Sequence, residues 1–181
     1  MNHQIEPEPY RWFMDGDQEF LCSVALAAFR ENDELCRSML YEFMQSCLKI
    51  FLDQVPDYML PFCTSVSDAL GESHISEQSR QTILREHARI WSDHFEELAV
   101  DTMADSLLDF AEFAVPVASR QSMESGLDGF GYFLESMKNF QVDRAFVHSH
   151  RMKMQKTLRK RKALALKRRI LRWFGLAKDS I

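Results

Sequence analysis

The residues best suited to do chemistry in this chain are two histidines and a run of carboxylates near its middle. His87 and His94 stand two helical turns apart, with Glu86, Glu97 and Asp101 close by in sequence. Helical bundles hold paired irons with such residues, but through Glu-x-x-His motifs that aim both ligands inward. Here Leu84 stands three residues before His87, and Trp91 three before His94. Neither histidine has the required partner, so both read as edge residues on the apolar stripe of a partly exposed helix. His148-Ser149-His150 lies among cations, which oppose a metal ion. No metal and no cofactor is expected.

Phosphate and nucleophile chemistry are equally poorly represented. Gly126, Gly129 and Gly131 reverse the dinucleotide spacing, follow no predicted strand and lack a Gly-Lys-Ser/Thr ending, so they read as a hinge or turn. There is no G-x-S-x-G. Cys22, Cys36, Cys47 and Cys63 form no C-x-x-C pair and sit among apolar residues, as small buried thiols do. Nothing points to an enzyme.

What remains is charge. Arg144 to Ile181 holds thirteen bases and one acid, a net +12, while the first 143 residues hold nine bases and twenty-six acids, a net −17. Such asymmetry implies contact with an anionic surface or with another part of the same chain. Within the acidic part, Glu97, Asp101, Asp105, Asp109 and Glu112 follow one helix face at spacings of three or four. Like charges at that spacing are mildly destabilising. The face is therefore either fully solvated or a docking strip for a basic partner, the chain's own tail included.

In the basic part, Ala163, Leu166, Ile170, Leu171, Trp173, Phe174 and Ala177 gather on one side of a helical wheel. Lys162, Arg168, Arg169 and Arg172 gather opposite, and Lys167 intrudes on the apolar side. A basic helix with aromatic residues at its apolar edge suits an anionic membrane surface. Arg159, Lys160, Arg161 and Lys162 with the bases that follow could equally hold nucleic-acid phosphates. Self-docking on the acidic part is the third possibility.

The elements that position these residues are helices. Six glycines and five prolines are few for a strand-and-turn protein, and Leu, Met, Ala and Glu are common. Apolar spacing predicts helices over about 17–30 and 35–52, the second ended by Pro56. Asp57 is expected to cap a third helix that Gly71 stops, and Ser76 to cap a long fourth stretch reaching about 114 with a break near 99–102. A further helix carries Phe130, Phe133, Leu134, Met137 and Phe140, and the basic helix begins between 142 and 152. The expected fold is all-α, a bundle of five to seven helices with a basic amphipathic C-terminal helix. Its parts are an extended lead (1–16), an acidic bundle (17–143) and the basic tail (144–181). No apolar run approaches the roughly 20 residues that span a bilayer, and MNHQIEPEPYRW does not resemble a secretory signal. A cytoplasmic protein is expected, with a peripheral membrane position as the variant.

Two stretches resemble the TorD/NarJ-type chaperones that assist maturation of molybdenum-containing redox enzymes. Phe20 to Phe29, followed by Asp33-Glu34-Leu35, is similar to that family's opening helix and acidic turn. Val55-Pro56-Asp57-Tyr58-Met59-Leu60-Pro61 is similar to its Pro-Asp-His/Tyr-Leu segment. The two stretches stand closer together than in the family, and the basic tail is not a family feature. The resemblance implies that Asp57 and Tyr58 contribute to binding a client's signal peptide.

The sequence therefore predicts a non-catalytic helical binding protein that receives a basic client peptide on its acidic body, at Asp57, Tyr58, Glu97, Asp101, Asp105 and Asp109. The alternative is an adaptor that grips an anionic membrane or nucleic acid through Arg159–Lys162, Lys167, Arg168, Arg169, Arg172, Trp173 and Phe174.

Overall fold

Apolar residues recurring every three or four positions leave the chain one economical way to bury them, as helix stripes facing a shared core. A computed structural model describes residues 16–72, 75–98, 101, 104–105, 107–108 and 123–173. Among these residues there are seven α-helices and no strand: α1 (Gly16–Phe29), α2 (Glu34–Phe51), α3 (Leu60–Gly71), α4 (Glu77–Asp93), α5 (Phe95–Leu98), α6 (Met123–Asn139) and α7 (Arg144–Trp173). The chain is an all-α bundle.

The joints follow from local chemistry. Between α1 and α2, Asn32 takes a left-handed backbone (φ 55°), which asparagine tolerates better than most residues. Asp33 then accepts the Cys36 N–H at 3.1 Å and caps α2. Ser76 caps α4 by accepting the Ser79 N–H at 3.1 Å, as its position predicts. At the end of α6, Gln141 is left-handed (φ 49°). The Val142 N–H reaches back to the Met137 carbonyl at 3.0 Å and the Gln141 N–H to that of Lys138 at 3.1 Å. This is a Schellman closure with glutamine where glycine is usual.

α1 packs on α2, α2 on α3, and α3 on α4, while α1 also meets α6 and α7. Phe43, Phe51, Phe62, Phe133 and Phe140 are fully buried at the centre. Phe51 stacks on Phe140 at 4.3 Å, and Phe43 meets Phe133 edge-on at 5.8 Å.

Three elements depart from the sequence expectation. Asp57 opens a 3-10 turn (Asp57–Met59) and caps nothing through its side chain, and α3 starts after it at Leu60 with Pro61 in its first turn. The long middle stretch does break where expected, since α5 ends at Leu98 and Asp101 lies outside any helix, but it also breaks earlier, at His94. There the backbone leaves the helical region (φ −129°, ψ 27°) while the imidazole stacks on Tyr58 at 4.0 Å, a tertiary contact with no local signature. Gly126, Gly129 and Gly131 lie inside α6 and make no hinge. Each interior glycine costs about 1 kcal/mol. Burying Phe130, Phe133, Leu134 and Met137 on the same helix returns about 1.5–3 kcal/mol per side chain. Packing outweighs the glycines.

Candidate functional site

The tail helix has two halves that differ in what surrounds them. Val147 and Met154 are buried in the core, and Phe146 and Leu158 pack against it. Phe146 stacks on Phe43 at 6.4 Å and lies 4.3 Å from the His150 ring, whose Nδ1 is 3.0 Å from the Phe146 carbonyl oxygen. Around this apolar contact run three ion pairs. Arg151 donates to Asp17 and also lies over the Phe20 ring at 5.8 Å. Lys153 donates to Glu42, and Arg161 donates to both Asp33 oxygens at 2.6 and 2.7 Å. The Arg161 hydrogen bond, helped by the Cys36 N–H, holds the Asp33 carboxyl below the usual carboxylate range.

These partners lie on α1 and α2 and on the turn between them, not on the acidic strip that begins at Glu97. Val147, Arg151, Met154, Leu158 and Arg161 recur at spacings of four and three, the period that keeps one helix face on a neighbour. The same line continues as Ala165, Arg168 and Arg172, with no large apolar residue. Contact with the body ends there. Every residue from Arg159 to Ile170 is exposed. Arg159, Lys160, Lys162, Lys167, Arg168 and Arg169 pair with no carboxylate among the described residues. Arg172 and Trp173 fall in the last turn of α7. Phe174 and Ala177 lie outside the described residues.

The apolar residues change sides as the helix leaves the body. Met152, Lys156, Arg159, Ala163, Leu166 and Ile170 form a second line, again at spacings of four and three, on the face turned away from α1 and α2. Beside it is a hollow of about 690 Å³, whose lining includes Met152, Lys156, Arg159, Lys160 and Ala163.

Of the residues predicted to receive a peptide, Tyr58, Glu97 and Asp101 lie near one another. Tyr58 stacks on His94, whose Nδ1 is 3.7 Å from Glu97. Burial pushes the Tyr58 phenol above its usual range, and the Asp101 and Glu97 charges add to it. The Tyr58 hydroxyl oxygen is buried and has no hydrogen-bond partner among the described residues. Asp101 accepts the Ala104 N–H at 3.1 Å, and Asp105 follows one turn later, half-buried. Asp57 is exposed on its turn. Asp109 and Glu112 lie outside the described residues.

Among the described residues no group of three or more His, Cys, Asp or Glu could hold a metal, and no helix is long and apolar enough to cross a membrane. All four cysteines are free; burial pushes the Cys63 thiol up to about 12 and Cys47 higher still, so neither supplies a thiolate near neutral pH.

Sequence reasoning missed Asp17, Asp33 and Glu42 as the residues that receive the tail. Their pairing spans 134, 128 and 111 positions, and no local pattern encodes it. The repeating line from Val147 to Arg161 was the available signal. In comparisons with known proteins, no family model, curated protein or solved structure matches this chain.

Proposed function

We propose that the protein is a non-catalytic adaptor, in which α7 attaches an acidic helical body to a polyanionic surface. One observation carries this reading: seven bases between Arg159 and Ile170 are exposed, and only Arg161 has a carboxylate partner among the described residues. Bases at spacings of three and four on one helix repel one another by a few tenths of a kcal/mol per pair. A phosphate-bearing surface turns that cost into attraction, at about 1 kcal/mol per base. The test is binding of the full chain and of Lys167→Glu/Arg168→Glu/Arg169→Glu to heparin and to anionic vesicles across a salt series. Binding by the parent that falls steeply with salt, and at least a hundredfold loss in the variant, is expected. Equal binding by the two chains would sink the proposal.

A second reading has the Tyr58 hydroxyl behind it. A half-buried tyrosine whose hydroxyl has no partner among the described residues, beside His94, Glu97 and Asp101, suits a cationic or amide group arriving from outside. This supports the client-peptide reading that the chaperone resemblance implies. Calorimetry with arginine-rich signal peptides should then show binding that Tyr58→Phe weakens, with no dependence on the bases beyond Arg161.

A further inference from the structure

Building on the adaptor reading, we propose that the surface α7 meets is an anionic phospholipid bilayer. The helix lies flat on it along the outer line from Met152 to Ile170, so the footprint runs back beneath the body and is not confined to the free end.

The switch of faces carries this inference. Up to Leu158 the large apolar side chains on the body side are buried or half-buried, and beyond it that side offers only Ala165 and arginines. On the opposite side Met152 is already 48 % exposed while its neighbours Arg151 and Lys153 still hold the body. Leu166 at 59 % and Ile170 at 46 % continue its line. Eighteen steps of 1.5 Å from Met152 to Ile170 make this line about 27 Å long. Its apolar members, Met152, Ala163, Leu166 and Ile170, share the line with Lys156 and Arg159, and it is bordered by Lys160 and Lys167 on one flank and by Lys162 and Arg169 on the other. That arrangement is what an interfacial helix needs: aliphatic groups at the level of the acyl chains and bases at the level of the phosphates.

A nucleic-acid duplex would satisfy the bases but would gain little from the apolar members of the line, since its phosphates give Leu166 and Ile170 no apolar surface to enter. Leu164 supplies the internal control. It is 57 % exposed, as Leu166 is, but at about 100° per residue it stands about 160° away around the helix.

The experiment compares Met152→Glu, Leu166→Glu, Ile170→Glu and Leu164→Glu in the full chain. Each is scored for co-sedimentation with phosphatidylcholine vesicles containing phosphatidylserine, and for binding to duplex DNA at equal phosphate and salt. The four changes add the same charge at exposed positions, and unchanged thermal unfolding by circular dichroism confirms the fold of each. The expected result is at least a tenfold loss of vesicle partition for positions 152, 166 and 170, under threefold for 164, and weaker DNA binding that all four variants reduce alike. Equal losses at 164 and 166 would overturn the flat orientation, and no loss at 152 would confine the footprint to the free half. Tighter binding to DNA than to vesicles would replace the lipid while leaving an adaptor. Binding to neither would remove the adaptor reading as well.

Discussion

The Arg151 guanidinium sits on the Asp17 carboxylate and joins the last helix to the first turn of the first. Asp17 is only 3 % exposed. Its place in the first turn of α1 favours a negative charge through the helix dipole, and the His148 Nδ1 stands 3.6 Å away, itself well exposed. Removing the cation leaves a carboxylate inside the interface without its main partner. Arg151→Met is expected to cost about 2–4 kcal/mol in urea unfolding. Adding Asp17→Asn should recover most of that, because the stranded charge is then gone. A loss below about 0.5 kcal/mol for the single change would mean that the pair contributes no more than a surface contact.

The border between the two halves of α7 can be read by truncating one methionine and one leucine. Met154 is in the core, and Leu166 is largely exposed. Met154→Ala should destabilise by about 2–4 kcal/mol through lost burial and a residual cavity. Leu166→Ala should stay within about 0.5 kcal/mol. Denaturant midpoints at matched slopes measure both. Similar costs at the two positions would mean that the second half also packs on something.

Asp33 gives α7 a pH signature. Arg161 holds its carboxyl below the ordinary value, so the folded chain binds that proton less tightly than the unfolded chain. The stabilisation is fully present above the unfolded value of about 4 and is lost as pH falls through the lower folded value. Because Arg161 is itself nearly half exposed, the pair is worth about 0.5–1 kcal/mol at neutral pH. The stability difference between the parent chain and Arg161→Met should be flat from pH 8 to 5 and shrink below pH 4. A difference that grows on acidification would contradict the pairing.

The turn before α7 holds a residue that the backbone does not favour. A left-handed conformation costs a side-chain-bearing residue about 1 kcal/mol, and Gln141 adopts it at φ 49°. Its side chain is exposed, so little is lost by deleting it. Gln141→Gly should therefore raise stability by about 0.5–1 kcal/mol, seen as a higher thermal midpoint. A lower midpoint would show that Gln141 makes compensating contacts.

What the sequence revealed and what it hid divide along the range of the interactions. Helix periodicity, the Ser76 cap and the turn at Asn32-Asp33 are encoded within a few residues, and each stands where its pattern puts it. The stop at His94 depends on stacking with Tyr58, thirty-six positions earlier, and periodicity alone carries no trace of it. The glycines of α6 misled in the opposite way: a strong local signal for a turn yields to the aromatic stripe beside it. For the candidate site, charge arithmetic showed that tail and body attract, but not where they meet. The line from Val147 to Arg161 would have limited docking to the first half of α7, because the large apolar residues on it stop at Leu158.

One unbroken helix of thirty residues, about 45 Å long, runs through both halves of α7. Mechanically it is a shaft clamped at one end and free at the other. A surface that captures the free end fixes the tilt of the body and its rotation about the shaft, with no flexible linker to relax either. Orientation, then, is set by helical phase: one alanine inserted between Arg161 and Lys162 would leave every charge in place yet turn the gripping face about 100° relative to the body.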